Sequence, residues 1–126
     1  MKKINIYVQR GEIWMGDLGE GVGDEQQDMR PLLIVQNNTG NHYSKTTIVA
    51  PITSSIKKTN LPTHVFISER FLLKDSQVLL EQIRAISKSR LIHKLGKISE
   101  ENQELVDDAL LVSVGLEKYL QDSVDN

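Results

Sequence analysis

The sequence predicts an α+β fold that is mainly β: five or six short antiparallel strands in a small, strongly curved sheet or barrel, with one C-terminal helix packed across it. Three observations predict it. Short apolar or β-branched runs, each bounded by turn formers, recur from the N-terminus to about residue 98. One well-capped helical period follows them and comes last. The length of 126 residues suits a single domain, here taken as 1–126 with its core at 10–116. Strands followed by a helix, with no βαβ alternation, favour segregated α+β layers over a parallel sheet.

The elements follow in order. Ile4 to Val8 alternate, and Ile13 and Met15 carry the alternation on, which reads as a first strand. Gly16 to Met29 hold four glycines and several acids, the composition of a long loop. Pro31 to Val35 is a compact apolar run ending at Asn37, Asn38 and Gly40, as expected of a strand buried on both faces. Thr46 to Ile52 is β-branched and forms the next strand, followed by His64 to Ile67 and Val78 to Ile86. A short helical turn is expected near Lys88 to Leu91 and a last strand over Ile92 to Ile98. In the final helix Ser99 is placed to cap, Glu100 and Glu101 suit the positive end of the dipole, and Gly115 stands at the C′ position. Leu105, Val106, Ala109, Leu110, Val112 and Leu116 recur at helical spacing between them, and the residues beyond Leu116 read as frayed.

Composition removes several classes of function. There is no cysteine, so disulfide frameworks, thiolate metal sites and cysteine nucleophiles are excluded. No apolar run reaches the roughly 18 residues that a membrane span needs. Met1-Lys2-Lys3 is basic, but the alternating segment after it lacks the apolar centre of a signal peptide, so a cytoplasmic protein is expected. A formal net charge of −2 argues against wholesale nucleic-acid wrapping. It leaves room for a local basic face, because Glu100, Glu101, Glu104, Asp107 and Asp108 cluster late, whereas Arg30, Lys45, Lys57, Lys58, Arg70 and Arg84 lie in the middle.

A set of ordered blocks sharpens this reading. Arg10-Gly11-Glu12 opens the first strand, and Gly23 to Pro31 holds an acid–Gln pair and ends in Arg30-Pro31. Gln36-Asn37, Ala50-Pro51-Ile52-Thr53-Ser54, Leu61-Pro62-Thr63-His64-Val65 and Glu81-Gln82-Ile83-Arg84 follow. The chain thereby resembles the MazF/PemK toxin family of type II toxin–antitoxin systems from about Arg10 to Leu116. The resemblance implies an SH3-like, plasmid-toxin barrel, a homodimer, and sequence-specific, metal-independent cleavage of single-stranded RNA such as mRNA. It also implies a cognate acidic antitoxin, similar to MazE, that blocks the RNA groove and alone connects the system to DNA. Carried over by position, Arg30 and Thr53 match the family's catalytic pair and Glu25 a supporting acid. Gln26, Lys57, Lys58, His64, Gln82 and Arg84 are the expected RNA contacts. A U-rich motif resembling UACAU is the family-level expectation for the cut. Gln27 and Asp28 depart from the small residues common in relatives, and the stretch between Ile67 and Gln77 is shorter than in some.

The residue types suit that chemistry. Without a metal or other cofactor, the neighbouring 2′-hydroxyl must attack phosphorus, giving a 2′,3′-cyclic phosphate and a 5′-hydroxyl. Charge grows on the non-bridging oxygens, where a planar, permanently charged arginine is an apt donor. A threonine hydroxyl adds a hydrogen bond. Arg30 opens one strand and Thr53 closes another, so both can lie at one end of the barrel. The general base stays open at this stage: Glu25 either accepts the proton or, the preferred reading, orients Arg30. The leaving oxygen takes its proton from Arg30 or from water.

Each residue also has an ordinary role. Arg30 alone is a surface arginine, Thr53 a strand threonine and Glu25 a solvated loop acid. Lys57 and Lys58 suit a solvated loop, and Trp14 suits the core or a dimer contact. His64 is read as structural or RNA-contacting, and His42 and His93 as surface; no pairing suggests a two-histidine nuclease, and no spacing suggests a metal site. Gln82 and Arg84 alternate with Ile83 and so are expected on one face. Two rival functions remain: a gyrase-binding toxin of the CcdB type on the same barrel, and an inactive relative that binds only RNA or antitoxin. The first usually carries an aromatic–Gly C-terminus, whereas this chain ends Asp122-Ser123-Val124-Asp125-Asn126.

Overall fold

A computed structural model of the chain describes residues 6–19, 28–56 and 61–120. These form seven strands: β1 (Glu12–Asp17), β2 (Met29–Ile34), β3 (Thr46–Thr53), β4 (His64–Ile67), β5 (Ser76–Leu79), β6 (Arg84–Ser87) and β7 (Leu91–Lys97). Two helices, α1 (Asn38–Tyr43) and α2 (Glu100–Ser113), complete the main elements. All pairings are antiparallel, and the hydrogen-bonded path runs β4-β5-β3-β2-β1-β7, with β6 also paired to β3. The expected mainly β fold with a C-terminal helix is present, with seven strands rather than five or six and a path that does not close. Among the described residues no helix is long and apolar enough to cross a membrane.

The central strands are buried on both faces, as their continuous apolar runs require. Leu33, Ala50 and Ile52 point to one side, where Val65, Val78, Leu80, Val106 and Ala109 meet them under α2. Leu32, Ile34 and Val49 point to the other, against Val8, Leu18, Ile86 and Leu91, with Trp14 half-buried beside them. Trp14 donates through Nε1 to Glu12 Oε1 at 3.1 Å. Glu12 is itself 6 % exposed; the same oxygen accepts from Gln9 N at 2.8 Å, and Oε2 lies 3.3 Å from Lys94 Nζ.

The strand expected over Val78 to Ile86 is divided. Along β3, the ladder to β6 ends at Val49↔Arg84 and the ladder to β5 begins at Ile52↔Val78. Two residues, Ala50 and Pro51, therefore stand against five, Leu79 to Ile83, and the surplus coils into a single 3₁₀ turn at Leu80–Gln82. The break falls at Pro51, which has no N–H to give a ladder. Three further differences are local. Residues 6–9 make no strand, although Val8 is buried. Asn37 caps α1 by accepting from Gly40 N at 2.8 Å, so residues expected to mark a turn start a helix. A 3₁₀ turn forms at Lys88–Arg90, as expected.

Helix α2 begins and ends where its caps place it. Ser99 Oγ accepts from Asn102 N at 3.2 Å. At the far end Gly115 adopts φ +79°, Gly115 N donates to Val112 O at 3.1 Å and Leu116 N to Leu111 O at 2.7 Å, the paired bonds of a Schellman motif. A Cβ at Gly115 meets no atom within 4 Å, so Gly115→Ala carries only the left-handed backbone penalty. We expect a loss of about 1 kcal/mol, read as a melting point about 3–5 °C lower. Glu12→Ala orphans the Gln9 amide and the Trp14 indole and should cost about 3 kcal/mol in urea unfolding. Glu12→Gln, which keeps one acceptor, should lose clearly less.

Candidate active site at the β2–β3 opening

The β2–β3 ladder fixes where the expected site residues fall. Leu32 pairs with Pro51, and the ladder stops there because β3 turns aside to pair with β5 through Ile52 and Thr53. Carried two residues further, the same register sets Arg30 opposite Thr53, and strand alternation puts both side chains on one face. The opening between the diverging strands is bridged by Arg30 Nη1, which donates to Ile52 O at 3.4 Å. Thr53 Oγ1 accepts from Ser55 N at 3.1 Å, a local turn that ends β3 and leaves the hydroxyl proton to donate elsewhere.

Arg30 is held from its own side as well. At the foot of the loop between β1 and β2, Leu18 N donates to Asp28 O at 3.1 Å and Asp28 N to Gly19 O at 2.6 Å. Asp28 takes φ +65°, a left-handed conformation that aspartate tolerates better than most residues. Burial pushes the Arg30 guanidinium below its ordinary pKa, and the nearby Asp28 charge pushes it partly back up. An arginine starts so far above neutrality that the group stays cationic. The result is a partly desolvated fixed cation beside a hydroxyl, an arrangement that suits an oxyanion.

Both residues line a cleft of about 490 Å³. Ser54 continues the Thr53 side, and the segment Phe71 to Lys74 that links β4 to β5 also lines the cleft. A wider recess of about 640 Å³ at the other end of β3, beside Tyr7, His42 and Lys88, holds none of the expected site residues. Among the described residues, no three His, Cys, Asp or Glu side chains converge as a metal site requires.

The remaining expectations divide. Glu25, Gln26, Lys57 and Lys58 lie outside the described residues. His64, Gln82 and Arg84 are not in the cleft. The His64 side chain is 7 % exposed, with Nε2 2.6 Å from Glu81 Oε2, which ties β4 to the 3₁₀ turn at Leu80–Gln82. Gln82 ends that turn and Arg84 opens β6, so the strand alternation expected to put them on one face is interrupted between β5 and β6. His42 and His93 are exposed, as expected. The sequence reading missed Asp28 as a neighbour of Arg30, although an acid two residues before an arginine at a strand start is a usable signal. It also missed the Phe71–Lys74 wall, which no local pattern marks.

Comparison with known proteins gives the family and the fold. The family profile described as "PemK-like, MazF-like toxin of type II toxin-antitoxin system" matches residues 9–114. Over 114 residues the chain is 47% identical to the Endoribonuclease MazF of Staphylococcus epidermidis, covering 89% of this chain and 95% of that relative. A mycobacterial endoribonuclease solved in complex with its cognate antitoxin superposes with a TM-score of 0.73 at 25% identity, covering 86% of this chain and 96% of that one. A crystal structure of MazF from Deinococcus radiodurans superposes with a TM-score of 0.75 at 21% identity, over 87% and 98% of the two chains, a likeness of fold alone.

Arg30 gives up part of its hydration, and its bond to Ile52 O is long, so its removal should cost the fold little. Arg30→Leu is expected to melt at or slightly above the parent temperature, within about 1 kcal/mol. A drop of several degrees in calorimetry would show instead that Arg30 is a structural tie between β2 and β3.

Proposed function

The chain belongs to the family of PemK-like, MazF-like toxins of type II toxin–antitoxin systems and is an endoribonuclease of that family, and from that premise we propose how its residues cut RNA. The carrying observation is the convergence of Arg30 and Thr53 on one cleft at the β2–β3 opening. Single-stranded RNA, mRNA above all, lies across this cleft with the scissile phosphate on the Arg30 guanidinium. The 2′-hydroxyl of the preceding nucleotide attacks phosphorus, the P–O5′ bond breaks, and the products end in 2′,3′-cyclic phosphate and 5′-hydroxyl. Arg30 holds the non-bridging oxygens as charge grows on them, in a site already stripped of part of its water. Thr53, its oxygen engaged by Ser55 N, donates its proton to the same phosphate.

Two protons complete the balance. The one leaving the 2′-hydroxyl needs an acceptor that a guanidinium cannot provide, and the loop carboxylates Glu25 and Asp28 are the groups to test. The one gained by the 5′-oxygen comes from Arg30 or a bound water. No metal takes part in this scheme. The enzyme acts in the cytoplasm as a homodimer. It is held in check by an acidic antitoxin laid over the RNA groove; a mycobacterial relative has been solved in complex with its own cognate antitoxin. His64, Gln82, Arg84, Lys57, Lys58 and Gln26 are retained as RNA contacts beyond the cleft. The gyrase-directed alternative loses its ground with the family assignment, and the inactive-relative alternative is decided by the assay below.

The test is cleavage of a long single-stranded RNA in EDTA, with end-mapping of the products. Discrete cuts with cyclic-phosphate ends are expected, slower by about 10²–10³ in Arg30→Ala and by a smaller factor in Thr53→Val. Glu25→Gln and Asp28→Asn should be compared through their pH–rate profiles, since loss of the acidic limb in one variant identifies the proton acceptor. Intact RNA beside a folded wild-type protein would sink the mechanism.

A further inference from the structure

The cleft that holds Arg30 and Thr53 has a chemistry that phosphate alone does not call for. Phosphate oxygens are served by the guanidinium and the hydroxyl, yet the cleft is otherwise lined largely by Met15, Met29, Phe71, Leu72, Leu73 and Leu95. Apolar walls give an anion nothing. They suit a flat nucleobase, and single-stranded RNA offers one beside every phosphate.

The wall is also built to stay in place. Leu72 N donates to Glu69 O at 3.0 Å, which closes a turn. The Glu69 carboxylate accepts from Ser99 N at 3.1 Å and from Asn102 Nδ2 at 2.7 Å, fastening that turn to the start of α2. Ser76 Oγ donates to Lys74 O at 2.9 Å from the other side. The Phe71 ring lies on Gly96 so closely that a Cβ there would stand 2.5 Å from it. Phe71 and Leu72 are thus half-buried against the core, whereas Leu73, on the same pinned segment, is fully exposed at the cleft. A fixed, fully exposed leucine has no task inside its own fold.

We propose that the Phe71–Lys74 segment is a base-binding lip, in which Leu73 covers the nucleobase flanking the scissile phosphate and so sets which bond is cut. Lys74, exposed at the same cleft, lies beside the backbone as the strand leaves. The proposal rests on the ribonuclease reading and extends it to a specificity-determining residue. Its occupant is RNA because the lip shares one continuous cleft with the phosphate-binding pair.

The experiment uses the full chain and a mixed-sequence single-stranded RNA in EDTA, comparing wild type with Leu73→Ala and Leu73→Phe. Leu73→Ala should raise KM about ten-fold, leave kcat within about two-fold, and relax the base tolerated at one position beside the cut. Leu73→Phe should keep a near-parental KM and favour a different base there. The melting temperature of both should stay at the parental value. An unchanged cut map and KM in Leu73→Ala would overturn the lip while leaving the nuclease intact. So would a Leu73→Ala protein that differs only in its sedimentation as a dimer, since that would make the leucine a contact between copies. Absence of cleavage in wild type would instead defeat the ribonuclease reading itself, so the two failures are distinguishable.

Discussion

Strand β3 serves two half-sheets at once, and the molecule is arranged around that double duty. On one edge Thr46 to Val49 pair with β6 and Ile52 and Thr53 with β5, on the other Val49 to Pro51 pair with β2, and the change from β6 to β5 falls across Ala50 and Pro51. A proline in a central strand usually weakens a sheet. Here the missing donor coincides with a three-residue surplus on the facing edge, coiled into a 3₁₀ turn whose Leu80 is buried in the core. The same divergence that leaves β3 free to follow β5 parts it from β2, and the parted ends carry Arg30 and Thr53. The site is a by-product of how the sheet bends.

Rigidity reaches the site from several directions. Burial on both faces fixes Leu32, Ile34 and Val49, so the start of β2 and the end of β3 have little freedom to drift apart. The Leu18–Asp28 and Asp28–Gly19 bonds close the neck of the β1–β2 loop, and the long Arg30 bond to Ile52 crosses the opening. On the other wall Phe71 on Gly96 and Glu69 on the start of α2 do the same work. Preorganisation of this sort is what an electrostatic site requires, because donors that need not move cost nothing when charge develops.

Features decided within a few residues of chain were legible in the sequence. Ser99 and Gly115 mark the ends of α2 because caps act locally, and the apolar runs of β2, β3 and β4 declare burial without help from distant residues. Arg30 and Thr53 are singled out by the resemblance to the toxin family, and their places at strand ends allow them to lie together. What could not be read depends on distant partners. Val78 to Ile86 has the composition of one strand, and only the register against β3 divides it. Asn37, Asn38 and Gly40 suit a turn and a helix start equally well, and Asn41 decides for the helix by receiving a bond from buried Thr47 at 2.7 Å. Leu73 is invisible for the opposite reason: an exposed leucine in a loop has no pattern, and its interest lies in what stands across the cleft.

The desolvated state of Arg30 has a consequence on an evolutionary scale. A side chain that gives up part of its hydration where it sits is kept chiefly by selection for what it does. Release from that selection removes the main force opposing its loss, and drift toward an apolar residue is expected to cost the fold little. A gene copy silenced this way still yields an intact protein with every outer surface in place. On the role proposed for Arg30, such a copy would go on drawing the binding partner away from active ones and would act as a competitor for the enzyme's own restraint.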